Sequence, residues 1–183
     1  MKKAFTMLEL VFVIVVIGIL AAVIIPNTRT NPVAEAAVEL VSEIRYTQHL
    51  AMMDDKFDTT NNTWFKNKWQ IVFSGTNNAL YSIVSDNNTT YAKDPQNPSK
   101  NIQNIQLDGV SVALTGGCNG ETIISFDNLG RPSVGSLAAT TQSYSSSGAG
   151  RLLTTACIIT LSLPDGTEPS VITIYPETGY AKL

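Results

Sequence analysis

The sequence predicts an α+β protein in which a long N-terminal helix, transmembrane and then amphipathic, packs on an antiparallel β-sheet domain. Three observations carry this. Residues 5–25, FTMLELVFVIVVIGILAAVII, hold a single charged side chain, Glu9. Residues 33–55 repeat apolar side chains at helical spacing. Beyond residue 55 the chain breaks into short β-rich runs separated by Gly, Pro, Asn and Asp. The expected division is a transmembrane helix over 5–26, an amphipathic spine helix over 27–55 and a β-rich globular domain over 56–183.

At ~1.5 Å per residue, a helix over the apolar run covers ~31 Å, about the hydrocarbon thickness of a bilayer. Inside lipid the run must be helical, because every backbone N–H and C=O then has an internal partner. Lys2 and Lys3 precede it and predict that the amino end stays cytoplasmic while the bulk of the chain lies across the membrane. Pro26 ends the run and is compatible with a kinked helix. An ionisable group inside such a run costs ~2.5–3.5 kcal/mol on insertion scales, and it usually marks function or a buried partner. For Glu9 the candidate partner is the N-terminal ammonium of a neighbouring copy. A secretory signal peptide fits poorly, since its apolar region spans only ~7–15 residues. A plain anchor leaves Glu9 and the junction of Ala4 with Phe5 without a role.

In the spine, Ala37, Leu40, Val41, Ile44, Gln48 and Ala51 fall on one face, and Glu35, Glu39, Glu43 and Arg45 populate the others. Residues 69–73 and 80–84, separated by Gly75, Asn77 and Asn78, read as a hairpin. Residues 87–101 read as a loop. Further strands are expected over 102–107, 110–114 and 122–126, followed by a tight turn over 127–132. Residues 133–150, rich in Ser, Thr, Gly and Ala, read as a mobile surface loop. Strands over 157–163 and 171–175 and a short final strand complete the domain.

The chain carries 12 basic and 15 acidic residues, a net charge of −3, so no global pull toward nucleic acid is evident. The two cysteines, Cys118 and Cys157, lie in the part expected to be exported, where an even count favours one disulfide over two buried thiols. No catalytic constellation appears. The single histidine, His49, lies on the spine, and no CxxC, phosphate-binding glycine loop or HExxH is present. Neither enzyme activity, a metal nor a cofactor is expected. The segment TWFKNKW interleaves Trp64, Phe65 and Trp69 with Lys66 and Lys68, a composition that can stack bases and neutralise phosphates. Trp64, Lys66 and Lys68 are therefore candidate DNA contacts, with the acidic overall balance against them.

The start KKA/FTMLE, followed by an apolar run and Pro26, resembles the class III signal of type IV pilins and type II secretion pseudopilins. The resemblance implies a leader over residues 1–4, prepilin peptidase cleavage between Ala4 and Phe5, and N-methylation of Phe5. Ala4 stands where the family usually has glycine. Glu9 becomes the fifth residue of the mature chain, where the family keeps its glutamate. LVSEIRYTQHLAM, the turn FDNLGRP and the closing ITIYPETGYAKL are similar to minor pseudopilins of the GspH/FimT type. The implied function is a structural subunit of a type II secretion or type IV pilus filament. Its expected partners are other pilin or pseudopilin subunits, prepilin peptidase, the bacterial inner membrane and secreted protein cargo. The globular domain is expected in the periplasm. The alternative is a FimT-like receptor for DNA in natural transformation.

Overall fold

The structure, a computed structural model, describes residues 6–24 and 31–183. The chain divides into two units, Met1–Asn31 and Pro32–Leu183. In the first unit, helix α1 runs over Met7–Ile24. Among the described residues no helix is long and apolar enough to cross a membrane. The 18 residues of α1 cover ~27 Å against the ~30 Å of a hydrocarbon core. The expected span over 5–26 is thus described only in part. Ala4, Phe5 and Pro26, with the expected cleavage, methylation and kink, lie outside the described residues.

The second unit opens with α2, Pro32–Met53. Pro32 occupies the first helical position, where its missing N–H costs nothing and its fixed φ suits the turn. The buried face of α2 is Val33, Ala36, Ala37, Leu40, Val41, Ile44, Thr47 and Ala51, a stripe at three- and four-residue spacing. Gln48, expected on this stripe, lies at its margin and donates to the carbonyls of Gly130 at 2.9 Å and Thr178 at 2.7 Å. Gly179 is required there: a Cβ at that position would stand 2.2 Å from the Gly130 carbonyl oxygen.

Eleven strands follow among the described residues: β1 Gln70–Ser74, β2 Leu80–Ser85, β3 Thr90–Tyr91, β4 Ile105–Gln106, β5 Ser111–Gly116, β6 Ile123–Phe126, β7 Pro132–Val134, β8 Arg151–Leu152, β9 Cys157–Ser162, β10 Ser170–Ile174 and β11 Ala181–Lys182. They form two antiparallel sheets. One has the order β3-β2-β1-β6-β7-β8 with β4 also on β2; the other has the order β11-β10-β9-β5. The order is not a simple meander, because β5 leaves for the second sheet before β6 returns to pair with β1. Alternation sets the inward faces, as in β9, where Cys157, Ile159 and Leu161 are buried. Helix α2 packs against strands of both sheets, so Leu40 and Ile44 share one core with Ile71, Ile124, Ile159 and Ile174.

The expected hairpin is present, with Ile71 opposite Ile83 and Phe73 opposite Tyr81. Three expectations are corrected. The stretch 87–101 is not all loop, since β3 pairs with β2 and Ala92 is buried behind it. Residues 102–107 form only the two-residue strand β4. The stretch 133–150 begins as β7 and buries Val134, Leu137 and Thr140. Its small residues allow a tight course over the sheet.

Candidate functional site

The candidate features fall in three places, two of which sequence analysis singles out. The first is α1. Its described side chains are apolar on every side apart from Glu9, and residues 7–20 are all exposed, Met7 at 86% and Phe12 at 68%. A helix apolar all round has no solvent face and needs a cover of lipid or protein. Thr6 caps its start: the Glu9 N–H lies 3.3 Å from Thr6 Oγ1 and 3.1 Å from the Thr6 carbonyl. Thr6 and Glu9 thereby hold the N-cap and N3 positions of a capping-box sequence. Glu9 sits in the first turn, where a carboxylate complements the exposed N–H groups.

The second place is the aromatic–lysine segment. Trp64–Asn67 is a 3-10 turn, and Phe65 and Trp69 are buried in the domain. Trp69 Nε1 donates to Asp54 Oδ2 at 2.9 Å. Lys68 is only 3% exposed and donates from Nζ to the Ser143 carbonyl at 3.1 Å. Burial pushes its ammonium down to about 8, with Asp127 opposing that shift and Arg131 adding to it. The Lys68 ammonium also lies 4.2 Å from the Tyr144 ring centroid, whose other cation, Arg131, lies 5.1 Å away. Tyr144 donates to Asp127 Oδ2 at 3.1 Å, and Lys66 Nζ donates to the Ala138 carbonyl at 3.1 Å. Both lysines therefore hold down the strap 136–150. Lys68, a candidate DNA contact by sequence, presents no ammonium to a phosphate; Trp64 and Lys66 remain half-buried beside it.

The buried Asp127 organises the turn beneath this strap. Its Oδ1 accepts from the N–H of Leu129 at 3.0 Å and of Arg131 at 2.8 Å, and its Oδ2 pairs with Arg131 Nε at 2.8 Å. The turn-rich composition of 127–132 foretold the bend. It gave no sign that the carboxylate also anchors Tyr144, seventeen residues away in sequence.

The third place was missed by sequence analysis. Glu35, Glu39 and Glu43 recur every fourth residue along α2 and line three adjoining clefts of about 570, 190 and 340 Å³. Asp108 and Asp94 join them at either end, and no Lys, Arg or His is among the lining residues. Glu39 Oε1 accepts from Tyr81 Oη at 2.9 Å. Glu43 Oε2 is buried with no hydrogen-bond partner. Burial, reinforced by Glu39 and Asp94, pushes the Glu43 carboxyl up to about 7. The signal available in the sequence was the acidic repeat itself; like charges at this spacing destabilise a helix by ~0.2–0.5 kcal/mol per pair.

The disulfide expected by cysteine count is present between Cys118 and Cys157, 39 residues apart, tying the end of β5 to the start of β9. Among the described residues no group of three or more His, Cys, Asp or Glu could hold a metal ion. His49 is exposed on α2. No family model, curated protein or solved structure matches the chain.

Proposed function

We propose that this chain is a membrane-anchored structural subunit of a filament in the bacterial cell envelope, a minor pseudopilin or minor pilin. The observation that carries the reading is α1, apolar on every face, exposed over residues 7–20 and interrupted by one carboxylate. Phe5 and Ile25 extend the apolar sequence at both ends, so lipid stores the segment before assembly and neighbouring helices cover it afterwards. Glu9 then sets axial register by pairing with the amino terminus of an adjacent subunit, which explains an ionisable group inside an apolar run. The β-rich unit meets other subunits or secreted cargo. The DNA-receptor alternative gains little support, because Lys68 is spent on the strap and the net charge is −3.

Glu9→Ala tests the register role. The variant should reach the membrane fraction as the parent chain does, yet lose crosslinks to neighbouring subunits by about tenfold, equivalent to ~1.4 kcal/mol of lost pairing. Unchanged crosslinking would remove Glu9 from assembly.

A further inference from the structure

The connection from β2 to β3 carries the sequence Asn88-Thr89-Thr90, an asparagine followed two positions later by threonine, which is the acceptor pattern for an N-linked glycan. The same pattern occurs at Asn61 and at Asn87. Of the three, only Asn88 has a carboxylate two residues ahead of it, Asp86, the further feature that bacterial transferases of this class read. Asp86, Asn87 and Asn88 take φ values of 51°, 56° and 68°, a left-handed run that Asp and Asn tolerate, and residues 87–90 are exposed. The hydroxyls also separate the three sites. Thr63 donates its hydroxyl to Asn61 Oδ1 at 2.8 Å, and Thr89 donates its hydroxyl to the Asp86 carbonyl at 2.7 Å. Among the described residues the Thr90 hydroxyl has no such partner. Asn88 Oδ1 accepts from Gln70 Nε2, which leaves Nδ2 without a hydrogen bond to any described residue.

We propose that Asn88 is the attachment site of an N-linked glycan, transferred from a polyprenyl-pyrophosphate oligosaccharide on the far side of the membrane. The inference rests on export of the β-rich unit, as proposed above. In the transfer, Nδ2 attacks the anomeric carbon of the first sugar. The C–N bond forms as the C–O bond to pyrophosphate breaks; the pyrophosphate leaves with the electron pair, and one Nδ2 proton passes to a base of the transferase. Because the new bond is made at nitrogen, the Oδ1 bond to Gln70 survives. The Thr90 hydroxyl and the Asp86 carboxylate are the handles by which the transferase holds the loop. Both are released at small cost. Lys56, 3.1 Å from Asp86, keeps its second partner Asp54 at 2.7 Å. Strand β3 is two residues long and stands at the end of its sheet, where local opening is easy. A glycan there also covers the open edge beside β3 and blocks edge-to-edge pairing with another chain.

The test is tryptic mass mapping of the full chain isolated from the envelope of its native host. The fragment 69–93, which contains Asn88, should carry the added mass of a chain of sugars, and the fragment 57–66, which contains Asn61, should not. The intact chain carries the same increment in addition to any change at its amino terminus. Asn88→Gln and Thr90→Ala should abolish the shift, and Asp86→Asn should lose most of it. Thr90→Ser, which restores a hydroxyl, should keep it, as should Asn87→Gln and Thr89→Ala. A thermal melt verifies that each variant is folded. A sugar-free fragment 69–93 overturns the proposal, and so does a shift that persists in Asn88→Gln. The state of Cys118 and Cys157, read in the same map, separates the two causes of failure. An oxidised, sugar-free chain removes the glycan site and leaves export standing, whereas a reduced, sugar-free chain counts against export as well.

Discussion

Glu43 carries a carboxylate oxygen that the fold buries and does not pair, and this has a measurable signature. Its folded-state carboxyl is raised to about 7 by burial first and by Glu39 and Asp94 second. The native state therefore binds more protons than the unfolded chain between the ordinary carboxylate range and about pH 7. Stability falls as pH rises through that window, because the unfolded state ionises more readily. Glu43→Gln removes the charge while keeping the shape. Thermal unfolding should show the variant more stable than the parent by on the order of 1–2 kcal/mol at about pH 8, after allowance for solvent screening. The difference should shrink as pH falls and vanish below about pH 4, under the unfolded carboxyl's ordinary value. Equal stability at both values would mean that water reaches the Glu43 carboxylate freely.

The strap 136–150 shows how an element poor in apolar residues is held in place. Leu137 is its one large buried aliphatic side chain. Polar restraint comes from Lys66 and Lys68, bonded to the carbonyls of Ala138 and Ser143, and from Tyr144, which has Lys68 and Arg131 near its ring and donates to Asp127. Tyr144→Ala should lower stability by about 2 kcal/mol, through lost cation–π and charge-assisted hydrogen bonding. It should also open the strap locally, so limited proteolysis should cut within 136–150 faster than in the parent chain. Unaltered cleavage would place the restraint in Leu137 and Thr140 instead. Periodicity in the sequence revealed α2, the hairpin β1–β2 and the strands β6, β9 and β10, since each has a repeated apolar face. It could not reveal β3, β7 or β8, whose two or three residues exist only because a neighbouring edge is there to pair with. The lysines of TWFKNKW were equally illegible: Lys68 is buried by a strap lying seventy-five residues further along the chain, and composition records no such distance.

At the scale of the whole molecule, the β-rich unit is closed by α2 across two sheets and by one disulfide, while α1 belongs to a unit of its own. The bridge from Cys118 to Cys157 spans 39 residues and restrains the unfolded chain by about 4 kcal/mol in the chain-entropy account. Replacing both cysteines with alanine should lower unfolding stability by a free energy of that order and lower the thermal midpoint with it, and an unchanged midpoint would show that β5 and β9 hold without the bridge. The apolar helix with its lone carboxylate was legible from residues 5–25 alone, because Glu9 is the one charged side chain in that run. The row of acidic clefts was not, since only the fold brings Asp94 and Asp108 to the glutamates of α2. The measurement that bears most directly on the filament-subunit account is the intact mass of the full chain extracted from the membrane fraction. The account predicts loss of Met1 to Ala4 and one added methyl group on Phe5. A mature terminus at Val23 or beyond, or an unprocessed chain starting at Met1, would contradict it.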